Sequence, residues 1–208
     1  MLKPRRTQSE RRATTRAALL DAAMACLVED GYANLTTRRI AERAGVSQGT
    51  QQHYFKTKTE FVVEAMRYAV QQITADVLRR IDIRSLGDPE RQELLLDEIW
   101  AVHKSAAFKA SLELWIAARS DEELRRNMRK LEREISATIG HAARKALPEQ
   151  DRTPELLELV DVGLATVRGY AMMAPVVPPA DLERRWAMAK QHLLVALQGV
   201  APPVAPTP

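Results

Sequence analysis

The 208-residue chain is 46% apolar and 28% charged, the balance of a globular protein, and only 8 glycines argue against a turn-rich all-β fold. A single cysteine, Cys26, excludes a disulfide framework and a thiolate metal cluster, which makes a reducing cytoplasm the expected compartment and core packing the expected role. The net charge of +4 is unevenly placed, because residues 1–60 hold 11 Lys/Arg against 6 Asp/Glu while the remainder is close to balanced. A basic N-terminal third suits a polyanionic partner, although a solvated surface would explain it as well.

In chain order, Leu20, Met24, Leu27 and Val28 recur at helical spacing between Thr14 and Val28, and Gly31 stands where a left-handed C-cap would end a first helix. A short second helix is predicted over about 37–44 with Ile40 and Ala44 on one face, and Gly45 breaks it. Ser47 is a suitable N-cap for a third, about 48–54. Thr57 and Glu60 read as a capping box for a long fourth helix, whose stripe runs through Phe61, Val62, Ala65, Met66, Ala69, Ile73, Val77 and Ile81. Asp88 and Pro89 start a fifth, which carries Leu95, Ile99, Trp100 and His103.

"FKASLELWIAARS" is a sixth helix, and Ser120 with Glu123 reads as a capping box for a seventh through Leu124, Met128, Leu131, Ile135 and Ile139. Thr153 caps and Pro154 opens an eighth, to about 173, and a ninth spans about 181–197. The tail, with 4 prolines in its last 10 residues, is expected to be disordered. No strand pattern or internal repeat is visible, so the expected fold class is all-α with about nine helices. The N-terminus lacks the apolar stretch of a signal peptide, and no run of about 18 apolar residues exists to span a membrane. The expected partners therefore exclude a membrane.

Two short helices joined by a turn, with small Ala41 four residues before Gly45, fit the helix-turn-helix geometry: Ala41 lets the helices approach, Gly45 can take positive φ, and Val46 packs beneath. In that arrangement the second helix enters the DNA major groove. "SQGTQQHYF" supplies the chemistry such a helix needs, since glutamine can pair bidentately with adenine. Gln48 and Gln52 lie four apart on one face, Gly49 permits close approach, Thr50 can meet a thymine methyl, and His53 can reach a base or a phosphate. Ser47, Arg38 and Tyr54 complete the candidate DNA-binding set, with Thr37 and Lys58 as phosphate clamps at helix starts. Lys3, Arg5 and Arg6 would form a mobile arm. Solvent-exposed helix surface is the plainer account of Gln51 and Gln52.

The segment "DAAMACLVEDGYANLTTRRIAERAGVSQGTQQHYFKTKTEF" resembles the TetR family of bacterial one-component regulators, with "TTRRIAERAGVS", Phe55 and the lysine of "KTK" in signature places. "HYFKTKTEFVVEAM", and more weakly "KASLELW", look most like the betaine-pathway (BetI-like) branch, from which no effector is inferred. Two positions depart from the family, which usually has an apolar residue at Gln51 and a phosphate-touching tyrosine at Gln52.

The resemblance implies a homodimeric repressor, with a three-helix DNA-binding domain at residues 13–56 behind a basic arm at 1–12. A helical ligand-binding and dimerisation domain would follow at 57–198, then a tail at 199–208. The implied partners are a palindromic double-stranded operator, a small-molecule effector of unknown identity and a second copy of the chain.

Tyr68, Trp100, His103, Phe108, Trp115, Arg119, Met128 and Tyr170 fall on helices that would enclose an effector cavity in such a protein, with Arg119 or Arg168 as an anion anchor. Core packing explains each aromatic equally well. Val160, Gly163 and Val167 on the eighth helix and Trp186, Leu193 and Leu197 on the ninth offer a dimer seam, with intramolecular core as the alternative. His103, His141 and His192 lack metal-site spacing, and no GxSxG, HExxH or phosphate loop is present. No metal, cofactor or catalytic residue is expected.

Overall fold

A computed structural model of the chain describes residues 7–80, 88–146 and 154–200. The expected arm cations Lys3, Arg5 and Arg6, the cap Thr153 and the tail from 201 lie outside the described residues. Among the described residues the chain forms α1 (Gln8–Asn34), α2 (Thr37–Arg43), α3 (Gln48–Tyr54), α4 (Lys58–Arg80), α5 (Pro89–Lys104), α6 (Ala106–Ala117), α7 (Glu122–Ala146), α8 (Pro154–Met172) and α9 (Pro179–Val200), and no strand. The all-α expectation is met. Packing divides the chain into two compact units, one of residues 1–72 with 109–132 and the other of residues 73–108 with 133–208. That line runs through α4 and α7, not at residue 56.

The first unit holds α1 to α3, the start of α4, α6 and the first turns of α7. Helix α1 begins earlier than expected because Thr7 and Glu10 form a full capping box: Glu10 N–H donates to Thr7 Oγ1 at 3.2 Å and Thr7 N–H to Glu10 Oε2 at 2.7 Å. Residues 8–12, assigned to the arm, are therefore helical. Leu19, Leu20, Ala23, Cys26 and Leu27 of α1 are buried with Ile40, Ala41, Phe61, Val62, Ala65, Met66, Leu114, Leu124 and Leu131. Cys26 fills core space as expected, and burial raises its thiol above the ordinary pKa.

Gly31 interrupts α1 at φ 71°, ψ 165°, a region almost closed to residues with a Cβ, and the next residue is gripped from three sides. Tyr32 donates its N–H to Glu113 Oε2 of α6 at 2.9 Å and its hydroxyl to Asp121 Oδ2 at 3.1 Å. Its carbonyl accepts from Lys58 Nζ at 2.5 Å, with that ammonium 4.2 Å from the Tyr32 ring centroid. A Cβ on Gly31 would stand 2.7 Å from Glu113 Oε2.

Asp121, not Ser120, opens α7, because its carboxylate accepts from Leu124 N–H at 2.9 Å while holding Tyr32; Ser120 Oγ instead donates to the Ala117 carbonyl. At the start of α4 the expected box is half made. Glu60 N–H donates to Thr57 Oγ1, but the Glu60 carboxylate accepts from Lys56 N–H instead of Thr57 N–H.

The turn between α2 and α3 is a Schellman motif: Val46 N–H donates to the Ala41 carbonyl at 3.0 Å and Gly45 N–H to the Glu42 carbonyl at 3.1 Å, with Gly45 at φ 67°. Ser47 then caps α3, accepting from Thr50 N–H at 3.1 Å.

In the second unit α5, α8 and α9 pack on one another. Trp100 of α5 stacks on Trp186 of α9 with ring centroids 5.2 Å apart, and Glu183 accepts from Trp100 Nε1 and Lys104 Nζ, each at 2.9 Å. Lys190 of α9 reaches Glu93 and Asp97 of α5. Val167, Trp186 and Leu193, expected at a dimer seam, are buried in this unit's own core with Leu96, Trp100, Ala171, Leu182 and Leu194. Gly163 faces Leu193 within the chain, and the half-buried Val160 and Leu197 lie on the same two helices. The strongest apolar stripes were drawn into the fold itself, as the intramolecular alternative required. About 140–220° around α8 from Val167, a different face is exposed: Val162, Ala165, Gly169 and Met172.

Two predictions follow from these contacts. Gly45→Asn should leave thermal stability nearly unchanged, since asparagine tolerates left-handed backbone and nothing crowds the site, whereas Gly31→Asn should cost about 1–3 kcal/mol. Equal thermal denaturation of the two variants would contradict this. Buried His103 is held by the Ile99 carbonyl at 2.7 Å, and its pKa lies below the ordinary 6.5 because burial, aided by the charge of Arg168, outweighs that hydrogen bond. A base with a lowered folded pKa keeps its full stability above about 6.5 and loses it as pH falls through the folded value. Urea denaturation should therefore show a drop in stability from pH 7.5 to pH 5 that is smaller in His103→Leu.

Candidate nucleic-acid interface

Helix α3 is seven residues long and cannot be stable alone. It is held on its inner side by Gln51, which is 1% exposed and donates Nε2–H to the Phe55 carbonyl at 2.9 Å, while its Oε1 is buried without a partner. Phe55, just past the helix, stacks on Phe61 of α4 at 4.2 Å between centroids and carries the Arg16 guanidinium over its other region at 5.7 Å. Adjacent glutamines thus divide: Gln51 points into the core where the resemblance predicts an apolar residue, and Gln52 points out.

Gln48, Gly49, Gln52 and His53 are all exposed. Thr50 is half-buried, its Oγ1 2.9 Å from Ser47 Oγ, so both hydroxyls are engaged at the cap. Tyr54 is half-buried and donates its hydroxyl to the Arg12 carbonyl at 3.3 Å, tying α3 to α1. Thr37 is half-buried in the first turn of α2, where the capping oxygen belongs to Thr36. Arg38 is exposed and paired with Glu42 one turn on, a surface pair worth little energy and readily exchanged.

Lys58 lies differently from the expectation of an outward phosphate clamp. Its ammonium is turned inward onto the Tyr32 carbonyl and ring, and burial lowers its pKa against the opposing charge of Asp121. The Asp121 carboxyl is in turn held below the ordinary carboxylate range, first by Leu124 N–H and then by Tyr32 and Lys58. Tyr32, Glu113 and Asp121 were missed in the sequence because their partners lie far apart along the chain; the glycine before Tyr32 is the one local signal.

The expected effector residues fall into both units. Tyr68, Trp115, Arg119 and Met128 belong to the first, where Met128 is buried, Tyr68 and Trp115 are half-buried, and Arg119 is exposed in the turn after α6. Arg119, expected as an anion anchor, is thus at the surface rather than among the buried aromatics. Trp100, His103, Phe108 and Tyr170 belong to the second unit. There the His103 and Phe108 rings are 4.6 Å apart, and half-buried Phe108 and Tyr170 pack at the border of the core that holds Trp100. No group of three or more His, Cys, Asp or Glu residues fit to hold a metal occurs among the described residues, and no described helix is long and apolar enough to cross a membrane.

Residues 19–65 match the family model for bacterial regulatory proteins of the tetR family. The chain is 34% identical over 197 residues to an uncharacterised HTH-type transcriptional regulator of Mycobacterium tuberculosis strain H37Rv, covering 92% of this chain and 98% of the relative. It is 31% identical over 193 residues to the HTH-type transcriptional regulator BetI of Cronobacter sakazakii, covering 90% and 93%. A transcriptional regulator crystallised from Rhodococcus sp. Rha1 superposes with a TM-score of 0.65 at 26% identity, over 92% of this chain and 99% of that one. A helix-turn-helix closed by the Gly45 Schellman turn, a polar face on α3 and full-length likeness to regulators agree, and the chain belongs to the TetR family of bacterial transcriptional regulators.

Proposed function

We propose that the protein is a ligand-responsive repressor that binds a palindromic operator as a homodimer in the cytoplasm and leaves it when a small molecule binds. The observation that carries this reading is the outward set Gln48, Gly49, Gln52 and His53 on α3, a helix rigidly seated by Gln51, Phe55 and Tyr54. Two amides four residues apart can each accept and donate at a base edge, and each good bidentate pair is worth about 1–3 kcal/mol of discrimination. Thr37, Arg38, Ser47 and Thr50 would flank the backbone, with Arg38 leaving Glu42 for a phosphate.

Residues 13–56 act as the DNA-binding part and 57–198 as the ligand-binding and dimerisation part in this reading. The dimer would use the exposed face of α8, Val162, Ala165, Gly169 and Met172, with Met188 and Val195 of α9. Val162 is 55% and Val195 68% exposed, which is costly for apolar side chains unless a second copy covers them. The effector would meet Trp100, His103, Phe108 and Tyr170, an aromatic wall with a neutral imidazole whose Nδ1–H is already committed to Ile99. Its effect is a population shift: it binds more tightly to a state whose recognition helices no longer match successive major grooves, about 34–36 Å apart.

Selection from a random duplex pool with purified protein should enrich a near-palindrome, and Gln48→Ala should relax preference at matching positions of the two half-sites while binding scrambled duplex as wild type does. Equal loss on selected and scrambled duplex would remove Gln48 from the base-reading set, and failure to enrich any sequence would contradict the operator. For the dimer, Val162→Arg with Val195→Glu should give a monomer in sedimentation with unchanged helical circular dichroism, and a wild type that already sediments as a monomer would refute it.

A further inference from the structure

Most arginines of the first three helices are neutralised within the fold. Arg16 pairs with Glu64 at 2.9 Å, Arg38 with Glu42 at 2.9 Å, Arg39 with Asp30, and Arg43 with Glu29 at 2.5 Å. Arg11 and Arg12 are different: both are exposed on α1 with no described carboxylate paired to them, and of the two it is Arg12 that reaches α3. Its Nη2 lies 3.3 Å from His53 Nε2 on α3, and its own carbonyl accepts the Tyr54 hydroxyl at 3.3 Å. The backbone of Arg12 is thereby fixed to the end of α3, and its guanidinium is fixed to the last outward side chain of that helix.

The chemistry of the contact sets the roles. A guanidinium has only donors, so it is the imidazole Nε2 that accepts, which places the His53 proton on Nδ1 and leaves the ring neutral. One Arg12 nitrogen is used in this way. The side chain of Arg12 is otherwise exposed, at the end of α3 that carries His53 and Tyr54, and strand backbone passes the flank of a helix lying in a groove. An uncompensated planar fork in that place matches a phosphate bidentately.

We propose that Arg12 is a phosphate contact and that His53 is a positioning residue for it, holding the guanidinium rather than reading a base; this rests on the DNA-binding reading above. The structure gives His53 a partner along the protein, and Arg12 a charge that no described carboxylate cancels. The arm expected at residues 1–12 is replaced at this point by a fixed cation on a helix.

The test is fluorescence anisotropy with two duplexes of about 30 base pairs, one selected from a random pool by the wild type and one scrambled, over a range of salt concentrations. Arg12→Ala should weaken binding to both by roughly tenfold or more and reduce the salt slope by about 1.8, the value for one phosphate contact from each protomer of the dimer. Arg12→Lys should keep the slope. His53→Ala should weaken the wild type but add nothing in the Arg12→Ala background, and His53→Gln, which retains an acceptor, should restore part of the loss.

An unchanged slope in Arg12→Ala alongside normal wild-type binding overturns this inference alone. Additive losses in the double variant, or a His53→Ala effect confined to particular bases, overturn the positioning role. A wild type that binds neither duplex in a salt-dependent way overturns the DNA-binding reading and this inference with it. Both side chains are exposed, and circular dichroism melts confirm that the variants are folded before binding is compared.

Discussion

The grip on Tyr32 is the constraint on which the first unit depends. One residue at the end of α1 uses its N–H, its carbonyl, its hydroxyl and the face of its ring, and the partners are Glu113 of α6, Lys58 of α4 and Asp121 at the head of α7. Lys58 and Asp121 are half-buried, so releasing either leaves an unpaired donor or acceptor near the core, whereas Glu113 holds Tyr32 from the exposed side. Gly31 makes the arrangement possible because it supplies positive φ and leaves the space that Glu113 occupies. Since α2 and α3 are connected between Tyr32 and Lys58, fixing those two residues against each other fixes the frame in which the recognition helix sits.

The same geometry explains why Lys58 departs from the role expected for it. A lysine at a helix N-terminus can stretch to a phosphate, but here a carbonyl, a ring face and the Asp121 charge lie within its reach inside the fold. A cation that reaches α3 and is not engaged with a described carboxylate, Arg12, is carried by α1 instead, where the helix starts early enough to present it. Charge counted along the sequence located the basic third of the chain correctly. It could not distinguish arginines cancelled by Glu29, Asp30, Glu42 and Glu64 from those left over, Arg11 and Arg12.

Local rules were legible where one residue decides the outcome. Gly45 and Ser47 define the turn and the start of α3, and Asp88 with Pro89 starts α5, all as read from the sequence. The Thr7 and Glu10 box obeys the same rule, but it lies within a basic run that reads as an arm. Ser120 and Asp121 were adjacent capping candidates, and the choice between them was made by Tyr32, a residue distant in sequence. Gln51 overturns the expectation of a solvent-exposed side chain: it takes the position where the family usually has an apolar residue and is held there by its bond to the Phe55 carbonyl. On α8 and α9 the most hydrophobic stripe pointed to an interface, yet a chain buries its strongest apolar side chains in its own core first, which leaves the smaller residues between Val162 and Met172 for the outside.

Full-length likeness to transcriptional regulators and the seating of α3 together make the contact between this helix and base edges the central claim. A photo-reactive side chain placed at position 52, outward and next to the buried Gln51, reports that contact directly when cross-linked to a selected duplex and mapped to single nucleotides. The account predicts cross-links to bases through the major groove at two symmetric positions about one helical turn apart. Cross-links scattered along the duplex, or confined to sugar and phosphate, would contradict it.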